Sequence, residues 1–397
     1  MADRPQALPA RIRDHVRARA EQLWAVSLAL HDDPELAFQE HHAADLLSGA
    51  LDEAGFAVTR PVAEMPTAFV ARAGSGQGPR VALLLEYDAL PGLGHACGHN
   101  LIAAAGLGAG LALHDALPRI EGTLMVVGTP AEESGGGKVA AVRAGLFDGV
   151  DAALMFHPGV HDWAWAPLTA SARVRIGFHG RAAHPTGNPT EGIDALAALI
   201  ELFNTLSVLD RRRPAGSHVQ GIVTQGGTAT NIVPDYAEGL FGLRGATTAE
   251  LRRGVEQLDE CARGIARATG TTVEVVDAGT GYQHFRDNAV LSERFAGHLA
   301  RTGITLTEPA PGVYLGSSDI GDVSTRVPAL HPFVAIMDST GSDHTTEFAV
   351  AAASPRARTV MLAAAEALAC TAADVLHDGT LRDGAWELWR QKADAGL

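Results

Sequence analysis

Apolar side chains recur at helical spacing from about Ile12 to Leu30 and predict an opening helix, stopped by Pro34 in His31-Asp32-Asp33-Pro34-Glu35. Val81 to Tyr87 is a nearly continuous apolar run, the pattern of a strand buried on both faces. A glycine-punctuated loop from Gly92 to Gly98 follows. Leu101 to Leu113, rich in Ala, Leu and Gly, predicts a close-packed helix. Thr123–Gly128 and Ala152–Phe156 predict two further buried strands. Strands alternating with helices imply an α/β fold, a mostly parallel sheet flanked by helices.

The pattern changes near Ser171. Ala172 to Phe178 alternates apolar and polar residues, as a half-exposed strand does. Glu191–Leu206 reads as an amphipathic helix, His218–Thr224 and Ala237–Leu243 as strands, Thr248–Ala268 as a helix and Thr272–Val276 as a strand. This β-α-β-β-α-β order predicts an inserted ferredoxin-like α+β domain over residues 171–285. The main domain then comprises residues 1–170 plus 286–397. Its late helices are expected at Asn288–Ala300 and Pro355–Ala369, the latter with Ser354 as N-cap and Pro355 in the first helical position.

Composition narrows the picture. A chain of 397 residues favours two domains. With 46% apolar and 19% charged residues it reads as a globular enzyme and not as a disordered chain. The net charge of −15 argues against nucleic acid, since the densest basic run is only Arg211-Arg212-Arg213. The same charge attracts cationic substrates. Three cysteines do not make a disulfide framework. The start at Met1-Ala2-Asp3-Arg4-Pro5 lacks an apolar signal core, and no bilayer-length apolar stretch stands out, so we expect a cytoplasmic protein with no membrane partner.

Candidate chemistry gathers at the ends of apolar runs. Cys97 and His99 share one short loop with Gly98, a pairing that suits metal ligation and equally a buried thiol beside a structural histidine. Glu132 and Glu133 follow the apolar run Leu124–Pro130 and precede three glycines. Adjacent carboxylates do not easily bind one ion in the same way, so one can ligate while the other takes a proton from an activated water. His157 ends a strand before Pro158, and His344 lies in Ser342-Asp343-His344-Thr345. Asp88, just past the first strand, can orient a ligating imidazole or cap a turn. Thiolate, imidazole and carboxylate together form the donor set of a zinc-like ion and point to metal-assisted hydrolysis.

These segments resemble the M20 family of metallopeptidases and amidohydrolases, closest to its amidohydrolase branch. The carrying motifs are Glu86-Tyr87-Asp88-Ala89-Leu90-Pro91, Cys97-Gly98-His99-Asn100, Pro130-Ala131-Glu132-Glu133, His179-Gly180-Arg181-Ala182-Ala183-His184-Pro185, Gly226–Asp235 and the late His344. They run in family order over nearly the whole chain. The resemblance implies two divalent ions, Zn or Mn with Co or Ni as alternatives, held by Cys97, His99, Glu133, His157 and His344. It implies Glu132 as general acid/base and Asp88 as the carboxylate behind a ligand. His184 would polarise the scissile carbonyl, and Asn231 and Arg244 would hold the substrate. The 171–285 domain would be a lid and homodimer contact. The implied activity is amide hydrolysis of N-acyl amino acids or related small molecules. Glu86 stands where other branches carry a ligating histidine, and Asn100 where the amidohydrolase branch carries an aspartate. The second departure leans towards the dipeptidase-like group, whose substrates would be short peptides with a basic or β-amino residue. A catalytically silent metal-binding interaction protein is the reading of another class.

Overall fold

The computed structural model describes residues 7–117 and 119–397. These divide into two compact units. One comprises residues through Pro167, Phe285–Pro311 and Ser318–Ala395; the other comprises Leu168–His284, Gly312–Ser317 and Gly396–Leu397.

The first unit begins with helices α1 (Ala7–Ala18), α2 (Ala20–Asp32) and α3 (His41–Glu53). The single opening helix expected from Ile12 to Leu30 is thus two helices. The apolar spacing runs through the break at Arg19, whose side chain bonds Asp115 instead of continuing one helical face. Strands β1 (Ala57–Thr59), β2 (Phe69–Gly74) and β3 (Arg80–Leu85) follow, then α4 (His99–Ala116), β4 (Thr123–Gly128), α5 (Gly137–Arg143), β5 (Ala152–Leu154) and β6 (His157–Gly159).

The second unit carries β7 (Ala170–His179), α6 (Ala195–Asp210), β8 (His218–Gln225), β9 (Tyr236–Gly245), α7 (Thr248–Thr269) and β10 (Thr272–Asp277). Its sheet is antiparallel in the order β10-β7-β9-β8, the ferredoxin-like arrangement. The inner faces of β7 and β9 pack Val174, Ile176, Phe178, Phe241 and Leu243 against α6 and α7. Thr247 and Glu250 form a reciprocal capping box that starts α7.

The chain completes the first unit with α8 (Ala289–Leu299), α9 (Ile320–Ser324), β11 (Ala329–Leu330), β12 (Phe333–Ala335), α10 (Thr346–Ala351), α11 (Pro355–His377) and α12 (Gly379–Asp394). Its main sheet runs β1-β2-β4-β3-β5-β11; β4, β3, β5 and β11 are parallel and β2 is antiparallel to β4. Burial of all of β4 and nearly all of β3 accounts for their unbroken apolar sequences. Helix α11 is long and apolar enough to cross a membrane, which corrects the expectation that no such stretch exists. Most of it, 83% of its apolar window, is instead buried in this unit against α4 and β3.

Candidate metal centre

Sheet order assembles the site. In β4-β3-β5 the carboxyl ends of three parallel strands lie side by side, the usual place for ligands in such sheets. Past β3 come Glu86 and Asp88, past β4 Glu132 and Glu133, and past β5 His157. Cys97 and His99 arrive on the loop that starts α4. Gly98 makes that loop possible: its φ is +76°, and a Cβ there would lie 2.5 Å from Pro158 Cγ, against the segment that carries His157. His344 is brought in by its backbone N–H, which donates to Ala96 O at 2.9 Å. Ala131 and His344 both adopt positive φ, +60° and +57°, conformations that cost about 1–3 kcal/mol and concentrate at functional sites.

Five sequence-predicted ligands converge. Cys97 Sγ lies 3.5 Å from His157 Nε2, and His344 Nε2 lies 3.6 Å from Glu133 Oε1. His99 Nε2 is 3.9 Å from both Glu132 Oε2 and Glu133 Oε1. Donor atoms of Cys97, His99 and His157 fall within 4.8 Å of one another, as do those of Cys97, Asp343 and His344 and those of His99, Glu132 and Glu133. Two donors bound about 2.0–2.3 Å from one tetrahedral ion stand about 3.4–3.7 Å apart. The closest pairs already have that spacing.

Tautomers point the same way. His99 Nδ1 donates to Asp88, 2.8 Å from its carbonyl oxygen and 3.1 Å from Oδ1. His157 Nδ1 donates to Pro158 O at 2.6 Å. Each Nε2 therefore faces the centre. Burial keeps His157 neutral with a lone pair there. In His99 burial is outweighed by the charges of Cys97 and Asp88, which raise the pKa, so a bound cation would take the place of its Nε2 proton. Asp88 Oδ2 also accepts from the Glu133 backbone N–H at 2.9 Å, so one carboxylate orients two of the donors. Buried His99 Nε2 and Glu133 Oε1 have no hydrogen-bond partner among the described residues, an arrangement that costs free energy unless a cation faces them. The donor set fits a divalent metal.

Electrostatics separate the groups. Burial would raise Asp88, but the charge and hydrogen bond of His99 outweigh it and hold the carboxyl below its usual range. Burial, reinforced by Glu86, Asp319 and Glu133, lifts Glu132 well above the carboxylate range. Burial raises the Cys97 thiol and lowers His157 to about 4. A metal cation beside Cys97 would offset that burial and favour the thiolate.

His184, Asn231 and Arg244 lie in the second unit. His184 is exposed, and its Nδ1 accepts from the backbone N–H groups of Thr186 and Gly187 at 3.2 and 3.0 Å, which leaves the proton on Nε2. Asn231 is exposed. Arg244 extends from β9, half-buried, and donates to Ser317 Oγ at 2.6 Å.

Three residues had no sequence signal. Glu40, fully buried with its carboxyl pushed by burial to about 6, accepts from Thr67 Oγ1 and from the Ala131 N–H, and so fixes the turn before Glu132. Lys138 and Asp319 pair beneath the same turn, Nζ to Oδ1 at 2.6 Å. Asn100 is structural: its amide donates to Ser27 Oγ and Ala352 O, tying α4 to the neighbouring helices.

Comparison with known proteins agrees with this geometry. Residues 169–270 match the peptidase dimerisation domain of the M20 family. Xaa-Arg dipeptidase of Mus musculus is 37% identical over 96% of this chain and 91% of its own length. A p-aminobenzoyl-glutamate hydrolase chain of Escherichia coli is 35% identical over 66% of this chain and 59% of its own. A dinuclear metal-binding M20 peptidase of Bacillus subtilis shares the fold, with TM-score 0.66 at 22% identity over 88% of this chain and 98% of its own. The chain belongs to the M20 family. It is an enzyme, a metal-dependent hydrolase of amide bonds.

Proposed function

We propose that this protein is a dipeptidase that cleaves short peptides ending in a basic residue. The observation that carries this reading is the likeness to Xaa-Arg dipeptidases, which extends over 96% of the chain, whereas the aminobenzoyl-glutamate hydrolase matches 66%. The −15 net charge favours a cationic substrate. Hydrolysis of N-acyl amino acids is the second reading, favoured by that shorter match and by the thiol donor Cys97.

Cys97, His99, Glu133, His157 and His344 are the residues that would hold two divalent ions, with zinc or manganese best suited to the mixed donors. When bound, such ions polarise the scissile carbonyl and acidify water. Glu132 takes the proton from the attacking water, because it lies beside the donors without being one of the five that would hold the ions. It then returns that proton to the leaving amine. Asp88 keeps His99 and the Glu133 backbone in place throughout. His184 offers Nε2–H to the developing oxyanion, and Arg244 with Asn231 binds the substrate backbone or carboxylate.

The reading includes a homodimer through the 171–285 domain. Strand β8 is an edge strand, and Ile200, Val208, Ile222 and Val223 of this unit are exposed, a surface of the kind that pairs with another copy. Light scattering that gave the mass of one chain would contradict it. The reading places the protein in the cytoplasm. The substrate test is a panel of Xaa-Arg and Xaa-Lys dipeptides, N-acetyl amino acids and aminobenzoyl-glutamate assayed with metal-loaded protein. The dipeptides should give the highest kcat/KM; preference for an N-acyl amino acid would overturn the choice in favour of the second reading.

A further inference from the structure

Beside the metal donors the chain has buried a cation of its own. Lys138, Glu86 and Asp319 are each at most 1% exposed. Lys138 Nζ lies 2.5 Å from Glu86 Oε1 and 2.6 Å from Asp319 Oδ1, and the Lys138 backbone N–H donates to Asp319 Oδ2 at 2.8 Å. Asp319 thus grips both the main chain and the ammonium of one residue. The approach depends on Gly137, where a Cβ would stand 2.0 Å from Pro130 O, so the turn after Glu132-Glu133 folds tightly enough to place Lys138 under them.

Glu86, Glu132 and Asp319 offer oxygens within 4.8 Å of one another. Buried carboxylates so close together are relieved by a proton or by a cation, and an all-oxygen cluster is what a hard divalent ion takes. Here an ammonium faces two of the three. Glu86 stands at the boundary: Oε1 is on Lys138, while Oε2 is 3.5 Å from His99 Nε2, the metal-facing nitrogen.

We propose that Lys138 is a positioning residue whose ammonium takes the place of a metal ion in the Glu86–Glu132–Asp319 cluster. It closes that cluster to divalent ions and confines them to the side built by Cys97, His99, Glu133, His157 and His344. Glu86 is thereby held off the ions, and Glu132 stays available to carry protons. An ammonium suits the task because it is a compact point charge with three donors and cannot act as a Lewis acid. The proposal deepens the metal-centre reading and rests on it for the location of the native ions.

The test uses the full chain, stripped with a chelator and dialysed against Mn²⁺, with bound metal counted by mass spectrometry. Lys138→Met keeps the length of the side chain and removes its charge. It should bind one more Mn²⁺ per chain than the wild type, and adding Glu86→Gln and Asp319→Asn should return the count to the wild-type value. A folded Lys138→Met protein with an unchanged or lower count overturns the proposal. If Lys138→Met is unfolded without metal, Mn²⁺ should restore its circular dichroism and raise its Tm more than it does for the wild type; no such rescue also overturns it. A wild-type count of zero would defeat the metal-centre reading instead, whereas the Lys138 proposal is judged on the difference between variant and wild type.

Discussion

Replacing Glu132 by Gln keeps the shape of the side chain and removes its ability to move a proton. Its Oε2 is 3.9 Å from His99 Nε2, and it is none of the five donors that would hold metal, so metal content should be unchanged. Loss of a positioned general base lowers rates by about 10²–10⁴-fold. At 1.36 kcal/mol per decade this is about 2.7–5.4 kcal/mol of transition-state stabilisation, which should appear in kcat with little change in KM. Stability should move the other way. The folded protein raises the pKa of Glu132 through burial and its neighbours Glu86, Asp319 and Glu133. A carboxyl whose folded pKa is raised disfavours folding progressively as pH climbs from the unfolded value, about 4.3, through the raised one. Metal-free Glu132→Gln should therefore melt higher than metal-free wild type at pH 7, and the difference should vanish near pH 4. The assays are steady-state kinetics, metal analysis and thermal melts across pH. Full activity with metal retained would refute the role of Glu132; a variant less stable than wild type at pH 7 would refute the electrostatic argument.

Asp88→Asn should weaken metal binding by about 10–100-fold, since it removes the negative charge behind His99 and beside the Glu133 backbone N–H; a chelator competition that finds equal affinity would contradict this. Gly98→Ala should destabilise the protein by about 1–3 kcal/mol, because φ is +76° and the new methyl meets Pro158. A denaturant titration showing no loss would show that the Cys97–His99 loop is looser than its geometry.

Much of this was legible because the strands carrying the site are buried on both faces, so their ends are visible as places where an apolar run stops at a polar residue. Val81–Tyr87 and Ala152–Phe156 run directly into Asp88 and His157 for that reason, and Thr123–Gly128 runs into the turn that carries Glu132 and Glu133. The break at Arg19 was not legible, because apolar spacing is continuous across it and a long-range pair with Asp115 marks the junction. Nor was the extension of α11 to His377, as no proline or glycine follows Ala369 until Gly379. His344 shows the limit for ligands: it is 52% exposed, and its place depends on one backbone bond to Ala96. Lys138, Asp319 and Glu40 stayed hidden because their meaning lies in partners far along the chain. A lone lysine after three glycines reads as a solvated residue, and only the fold shows that it is fully buried between two acids.

The most direct measurement of the central claim is hydrolysis of an Xaa-Arg dipeptide by one preparation in three states: as metal-loaded protein, after chelation, and after Zn²⁺ or Mn²⁺ is returned. Cleavage that disappears with the metal, returns with it, and stays absent in a Cys97→Ala, His157→Ala double variant is the result this account predicts. Cleavage that persists in the metal-free protein, or no cleavage of any amide by a protein with its metal bound, would contradict it.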